Sequence, residues 1–572
     1  MKAMECYREV ASEMVMHEKP EDIYTSIPSS VSEAFGFLWN RLMENPTEFV
    51  RMQMEYFYEM SRIAANASLR FMGNPAAPLY NPSDKDRRFK DEAWQNHVLF
   101  DFLKQSYVLT SSTLERTIAS AHDIDPKTQQ KLNFFSRQFI DAISPSNFLL
   151  TNPEVLKKTV ESNGENLVKG MENLLKDMKT SDGILRISMT DRNAFALGRN
   201  IAMTPGKVVF QNDLVQIIQY TPTTKEVYET PLLIVSPWIN KYYILDMQPE
   251  NSFVKWLVDK GHTVFITSWV NPDARHANKS FEDYMKEGAL DGIEAVKKAT
   301  GEKQINVIGY CIGGTLMASA LAYLTAKQQA DSVKSITYLT TLVDFSEPGE
   351  IGAFIDEGQI SEMEEHMNKK GYLESDKMAT TFNMLRANEL IWSFVVNNYL
   401  MGKNPFPFDL LYWNMDSTRL PAAMHSFYLR NMYLTNKLVQ PKALSMCGVP
   451  IDLRNIKTPA YMLSTQGDHI APWKSTYAAT SIYKGPIRFV LSGSGHIAGV
   501  VNPPVKKKYG YWTNERLPAT PDEWFDKSTP HEGSWWEDWQ RWIESTGFVG
   551  KKVPARVPKN PIEDAPGSYV KG

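Results

Sequence analysis

The sequence predicts an α/β protein in which a mostly parallel β-sheet carries helices on both faces, behind a region built almost wholly of helix. Three observations predict it. Apolar runs rich in β-branched residues alternate with amphipathic stretches after about residue 208, which is the texture of strands buried on both faces. Before that point apolar residues recur at helical spacing. A glycine-rich turn follows directly on one of the apolar runs and opens a helix-forming one.

In the first 200 residues, Phe49, Met52, Tyr56 and Met60 form one apolar stripe after Pro46, a residue suited to the first turn of a helix. Further helices are expected over about Asp91–Ala119, Pro126–Ala142 and Pro153–Lys179. Their stripes are read as a packed helical region, with a face that docks on a partner protein or an apolar particle as the sharper alternative. Beyond Val208, Phe210–Tyr220 reads as the first strand, and Pro231–Pro237, Thr263–Trp269 and Gln304–Gly309 read as buried strands. Asn251–Lys260 and Ser280–Thr300 between them have helical periodicity. Later strands are expected at Val333–Leu339, Ala460–Ser464 and Ile487–Leu491. The stretch from about 344 to 453 breaks this rhythm. It holds Trp392, Phe406, Phe408, Tyr412 and Trp413 with few strand signals, and reads as a lid inserted between two late strands. The tail after about Val553, rich in Pro, Gly and Lys, is expected to be loose. The division is therefore a helical N-terminal domain over 1–200 and an α/β domain over 201–572.

Composition narrows the function classes. At 572 residues the chain exceeds one ordinary core. Hydrophobic residues at 43% and charged residues at 22% describe a globular protein. A net charge of -4 gives no reason to expect nucleic acid or anionic membranes as partners. Cys6, Cys311 and Cys447 are too few for a disulfide framework and suit a reducing compartment. Met1–Pro20 lacks the apolar core of a signal peptide, and no apolar run approaches a membrane span, so a cytoplasmic location is expected.

The chemistry concentrates at Gly309-Tyr310-Cys311-Ile312-Gly313-Gly314. It follows the strand Gln304–Gly309 and precedes the helix-forming run Thr315–Gln328. Strand, sharp turn and helix make a nucleophile elbow, with Cys where hydrolases usually carry Ser; this is the signature of an α/β-hydrolase fold. The turn strains the backbone at the nucleophile, so its neighbours two positions away must be small. The helix N-terminus favours a thiolate and a developing oxyanion.

A cysteine nucleophile needs a base, and the base an orienting acid, in the chain order nucleophile, acid, histidine. Asp468 and His496 both lie on loops at strand carboxyl ends, where α/β sites assemble. His469, adjacent to Asp468, is the rival base and reads as a substrate-facing or supporting residue. Asp416, Asp344 and Asp273 are alternative acids, none of which follows the right strand. The oxyanion hole is expected from the backbone N–H groups of Ile312 and Ile239. No metal-ligand spacing, P-loop or dinucleotide fingerprint occurs.

From about Asp86 to Trp542 the chain resembles the class I polyhydroxyalkanoate synthases. The matching stretches are Asp86–Phe89 with Trp94, Ser144–Phe148, Thr151–Glu154, Pro237–Asp246, Ser268–Asp273, the elbow, Gly467–Trp473, Gly495-His496, and Gly533–Trp536 with Trp539. The resemblance implies Cys311 as nucleophile, Asp468 as acid and His496 as base. It implies a mobile cap over the site and a homodimer at the surface of polyester granules, with Tyr412–Asn414 similar to a stretch linked to dimer contacts. The substrate implied is a short-chain 3-hydroxyacyl-CoA; CoA is part of that substrate and no cofactor is expected. Trp238 departs from relatives that carry a smaller residue there. Elbow and triad alone also suit a polyester depolymerase or an acyl-CoA thioesterase. A third reading is a non-catalytic granule-coat protein, against which an intact Cys311, Asp468 and His496 argue.

Overall fold

The computed structural model describes residues 29–179 and 185–572. Cys6 and the stretch Met1–Pro20 lie outside the described residues. Contacts divide the chain into two units, one of Met1–Asp191 with Thr380–Phe406 and one of Arg192–Ala379 with Pro407–Gly572. Residues 380–406, inside the stretch read as one insertion, thus group with the N-terminal helices.

The first unit is helical. Its helices are α1 (Ser29–Glu44), α2 (Pro46–Phe71), α3 (Val98–Ser120), α4 (Pro126–Ala142), α5 (Pro153–Glu161) and α6 (Glu165–Lys179). Proline at N1 opens α2, α4 and α5, where its missing N–H costs nothing. Asp125 and Asn152 cap the latter two by accepting from N–H groups of the first turn, worth about 1 kcal/mol each. The single helix expected over Pro153–Lys179 is two, because Asn163 and Gly164 take left-handed conformations (φ 50° and 82°) between them. The stretches Asp86–Phe89 and Ser144–Phe148 serve this packing. The Arg88 guanidinium donates to Asp86, to Asp141 at 3.3 Å and to the Tyr107 hydroxyl at 2.9 Å. Asn147 Nδ2 donates to the Asp141 carbonyl at 2.7 Å. Trp94 is wholly buried, edge-on to Phe89.

The second unit is organised by an eleven-stranded sheet. Its strands are β1 (Gly206–Gln211), β2 (Val215–Tyr220), β3 (Leu232–Val235), β4 (Val264–Trp269), β5 (Ile305–Tyr310), β6 (Val333–Leu339), β7 (Ala460–Thr465), β8 (Ile487–Ser492), β9 (Tyr511–Thr513), β10 (Thr529–His531) and β11 (Glu563–Asp564). In space the order is β10-β9-β8-β7-β6-β5-β3-β4-β2-β1-β11. The six strands from β8 to β4 in that order pair in parallel, and the outer strands are antiparallel. β3, β4 and β5 are buried along their whole length, as strands covered on both faces must be. Helices α7 (Phe253–Asp259), α8 (Asp291–Thr300), α9 (Ile312–Ala326) and α10 (Trp535–Ser545) belong to this unit. Trp535, Trp536 and Trp539 of α10 are wholly buried with Phe253 of α7. This is the α/β-hydrolase fold, a mostly parallel central sheet, accompanied by a helical N-terminal region.

Two further expectations are corrected. The strand read over Phe210–Tyr220 is the hairpin β1–β2, because Asn212 Oδ1 accepts from the N–H groups of Leu214 (3.0 Å) and Val215 (2.9 Å) and turns the chain. The tail is not loose. Lys552–Pro554 pairs with Glu226–Tyr228, and β11 pairs with the edge strand β1. The buried Lys241 ammonium then donates to the carbonyl oxygens of Val570 (3.0 Å) and Gly572 (2.7 Å). Composition suggested a free end, but backbone N–H and C=O groups meeting an open sheet edge pair with it whatever their side chains.

Candidate active site

Cys311 stands between the end of β5 and the start of α9 with φ 52° and ψ −121°, a conformation that costs a non-glycine residue about 1–3 kcal/mol. The surroundings hold it there. The Cys311 N–H donates to Leu339 O at 2.8 Å, and its carbonyl accepts from Gly314 N at 2.9 Å. A Cβ on Gly309 would lie 2.5 Å from Gly314 Cα, and one on Gly313 would lie 2.3 Å from Val235 O. Glycine at both positions is therefore a steric requirement of the turn. The thiol itself is half-buried.

Asp468 follows β7. Its Oδ1 accepts from the N–H groups of Ile470 (2.9 Å) and Ala471 (2.8 Å), and its Oδ2 from Thr465 Oγ1 at 3.2 Å. The same Oδ2 lies 2.7 Å from His496 Nδ1. The two loops are also joined through their backbones, since Gln466 N donates to Ser492 O (2.8 Å) and Gly467 N to Ser494 O (2.7 Å), extending the β7–β8 ladder past its strands. Beyond the imidazole, the indoles of Trp535 and Trp536 donate to the Val500 carbonyl at 3.1 and 2.9 Å. The Gly533–Trp536 stretch thereby braces the histidine loop.

His496 is buried, with Tyr310 stacked on its ring at 5.9 Å. Burial pulls its pKa down, but the Asp468 charge and then Cys311, each aided by a hydrogen bond, hold it well above the ordinary imidazole value. The fold thus brings Cys311, His496 and Asp468 together at one rim of the sheet. With Nδ1 engaged by Asp468, Nε2 is the nitrogen free to exchange a proton with sulfur.

The other candidates stand elsewhere. His469 is half-buried on the same turn as Asp468, with its carbonyl against Gly349. Asp416 accepts from the Tyr243 hydroxyl at 2.8 Å, Asp344 from Ser346 N (2.9 Å) and Asn436 Nδ2 (2.8 Å), and Asp273 caps its own turn through Arg275. Ile312 opens α9, so its N–H is one of the orphan donors of a helix's first turn. Ile239 lies on the loop leaving β3, whose end packs against Gly313; its carbonyl accepts from Thr418 Oγ1 at 2.7 Å. Trp238 is buried, with Trp269, Phe281, Tyr284 and Tyr428 edge-on to it. Its bulk fills the core beside that loop.

Residues not singled out from the sequence also reach the site. Tyr428 and Tyr433 sit 5.6 Å apart, each against Phe345. Burial above all raises both phenols, and Cys311 contributes to each, so both hydroxyls lie within electrostatic reach of the sulfur. Their spacing carried no signal, because it depends on the path of the insertion. Among the described residues no group of three or more His, Cys, Asp or Glu could hold a metal ion. No helix of the described residues is long and apolar enough to cross a membrane. A thiol beside an acid-oriented imidazole, at a helix N-terminus, is equipped for acyl transfer through a covalent intermediate.

Comparison with known proteins identifies the fold and the family. Residues 85–257 match the family described as the poly-beta-hydroxybutyrate polymerase (PhaC) N-terminus, and residues 231–503 match the alpha/beta hydrolase fold. The chain is 50% identical over 502 residues to the poly(3-hydroxyalkanoate) polymerase subunit PhaC of Rhizobium etli, covering 87% of this chain and 78% of that protein. It is 46% identical over 534 residues to the poly(3-hydroxyalkanoate) polymerase of Methylorubrum extorquens, covering 92% and 88%. Against the poly(3-hydroxyalkanoate) polymerase subunit PhaC of Cupriavidus necator the identity is 42% over 534 residues, covering 92% and 89%. With so much shared sequence over so much of both partners, the chain belongs to the poly(3-hydroxyalkanoate) polymerase family.

Proposed function

We propose that this chain polymerises short-chain (R)-3-hydroxyacyl-CoA thioesters, such as 3-hydroxybutyryl-CoA, releasing CoA through an acyl group carried on Cys311. The observation that supports this most is the 2.7 Å contact of Asp468 with His496 beside an elbow cysteine, in a member of this family. His496 Nε2 takes the thiol proton while Asp468 fixes the tautomer and stabilises the imidazolium. The sulfur attacks the thioester carbonyl, and the oxyanion is held by the N–H groups of Ile312 and Ile239. CoA leaves as the thiol, protonated by His496, and the acyl group stays on sulfur. The 3-hydroxyl of another acyl-CoA gives its proton to His496 and attacks that thioester, making an ester and releasing Cys311 as the thiol. Cys311 then attacks the CoA thioester at the end of the lengthened chain and takes up that chain as CoA leaves. Thioester exchange is nearly isoenergetic and thioester to ester is downhill, which favours a sulfur relay. Water would divert the acyl-enzyme to hydrolysis, and Tyr428, Tyr433 and Phe345 supply apolar surface against it.

On this reading residues 201–572 are the catalytic domain, residues 1–200 a helical domain, and about 344–453 a cap, in a cytoplasmic homodimer working on polyester granules. The test is incubation with 3-hydroxybutyryl-CoA. Insoluble polymer with stoichiometric free CoA is the expected result, and Cys311→Ala should abolish both. Free 3-hydroxybutyrate in place of polymer would make the chain a thioesterase, and turnover surviving in Cys311→Ala would remove the assigned nucleophile.

A further inference from the structure

The loop that follows the histidine turn carries a feature the chemistry above does not use. Residues 503–509 read Pro-Pro-Val-Lys-Lys-Lys-Tyr, three consecutive cations with no acid among them in a chain of net charge -4. All three lysines are exposed, and Tyr509 next to them is 48% exposed. Lys506 Nζ donates to the neutral amide oxygen of Asn251, while Lys507 and Lys508 form no ion pair among the described residues.

Topology puts this loop at the rim where sulfur and imidazole meet. β8 runs parallel to β7, and β9 returns antiparallel with Ser492 opposite Tyr511. Everything between 492 and 511 therefore lies beyond the carboxyl end of β8, the side on which His496 and Asp468 stand. The loop is tied to the histidine turn by Gly493 N to Gly510 O at 3.0 Å and closed on itself by Asn502 Nδ2 to Lys508 O at 2.9 Å. Its course is specified as well, since Lys507 and Tyr509 hold left-handed conformations (φ 46° and 69°) unusual for such residues. A merely solubilising run of lysine needs neither a fixed backbone nor a place at the same end of the sheet as Asp468 and His496.

We infer that Lys506, Lys507, Lys508 and Tyr509 form a subsite for the nucleotide end of an acyl-CoA, the ammonium groups meeting its phosphates and the phenol ring its adenine. This rests on the proposed acyl-CoA reaction. A phosphate dianion and a diphosphate need several unpaired donors at one place, and an aromatic face beside them accepts any purine by stacking. A polyester has no charge for such a cluster to meet. The long pantetheine arm would cross the rim from this loop to Cys311.

The test compares two substrates that share the reacting end. With 3-hydroxybutyryl-CoA, the triple variant Lys506→Ala/Lys507→Ala/Lys508→Ala should raise KM about tenfold, the loss of about 1.4 kcal/mol of binding, with kcat within about twofold. Its kcat/KM should also fall less steeply with salt than that of the unsubstituted chain. With 3-hydroxybutyryl-pantetheine, which lacks the nucleotide, both chains should behave alike. Tyr509→Ala should show the same selectivity with a smaller change. An unchanged KM for the CoA thioester, or an equal loss with both substrates, would overturn the proposal. CoA or pantetheine release is the readout, so the result stands whether the acyl group goes to polymer or to water. Should turnover be absent, calorimetric binding of CoA against pantetheine to the Cys311→Ala protein, with and without the lysines, decides the same question.

Discussion

Asp468 Oδ2 lies 2.7 Å from His496 Nδ1, while the other oxygen of the same carboxylate is held by two backbone N–H groups. The acid is thus fixed before it orients the base. Asp468→Asn keeps an oxygen for those N–H groups but turns an amide toward the imidazole and stabilises the wrong tautomer. CoA release should fall by roughly 10³- to 10⁴-fold, with a lower melting temperature wherever His496 is protonated, because the buried imidazolium loses its charge partner. Steady-state rates alongside a melting curve check both halves.

The raised pKa of His496 sets a pH dependence of stability. A group whose folded pKa exceeds its unfolded value of about 6.5 stabilises fully below that value and loses the contribution as pH rises through the folded pKa. The unsubstituted chain should therefore lose stability relative to His496→Gln as pH rises above about 6.5. Urea midpoints of both proteins across that range give the difference directly; a difference that grew with pH would contradict the sign.

Two glycines should respond oppositely to alanine. On Gly313 the new methyl would lie 2.3 Å from Val235 O and 2.9 Å from Ser236 O, both backbone atoms that cannot yield. Gly313→Ala should cost about 1–3 kcal/mol and disturb both proposed oxyanion donors. On Gly292, in α8, the nearest atoms are flexible side-chain ends at 3.4 and 3.5 Å, so Gly292→Ala should be neutral or stabilising by up to about 1 kcal/mol. Chemical denaturation of the pair reads the contrast.

Lys241→Met should free the tail. It keeps the length of the side chain but removes the Lys241 donor from the oxygens of Val570 and Gly572, of which Gly572 keeps only Asn271 Nδ2 at 3.0 Å, at a cost of about 1–3 kcal/mol. Limited proteolysis should cut residues 555–572 faster in the variant, and the denaturation midpoint should fall.

What could be read in the sequence was whatever local pattern determines. Val333–Leu339 and Pro126–Ala142 were bounded to the residue, because burial on both faces and a proline with its capping aspartate are written into consecutive positions. Cys311, Asp468 and His496 could be singled out for the same reason, each being attached to the end of a strand by a glycine-containing turn. Non-local relations left no such trace. Asn212 split one apolar run into a hairpin through a side-chain hydrogen bond, and Asn163 with Gly164 divided a periodic stretch. The tail's strands exist only because β1 and Glu226–Tyr228 present edges to them. Tyr428 and Tyr433 come within electrostatic range of the sulfur by way of an insertion whose course no spacing announces.

Cys311, Asp468 and His496, the side chains proposed to react, follow β5, β7 and β8, with only β6 interposed. Their separations are consequently set by hydrogen-bond ladders a few strands wide, a ruler that no change in the inserted segment can restretch. Monomer choice could then drift by altering what covers the ruler, leaving the distance from sulfur to imidazole as it was. Substitutions for bulkier monomers belong at Tyr428 and Tyr433, which the Cys311 charge reaches, and substitutions in the strands themselves would forfeit the proposed chemistry first.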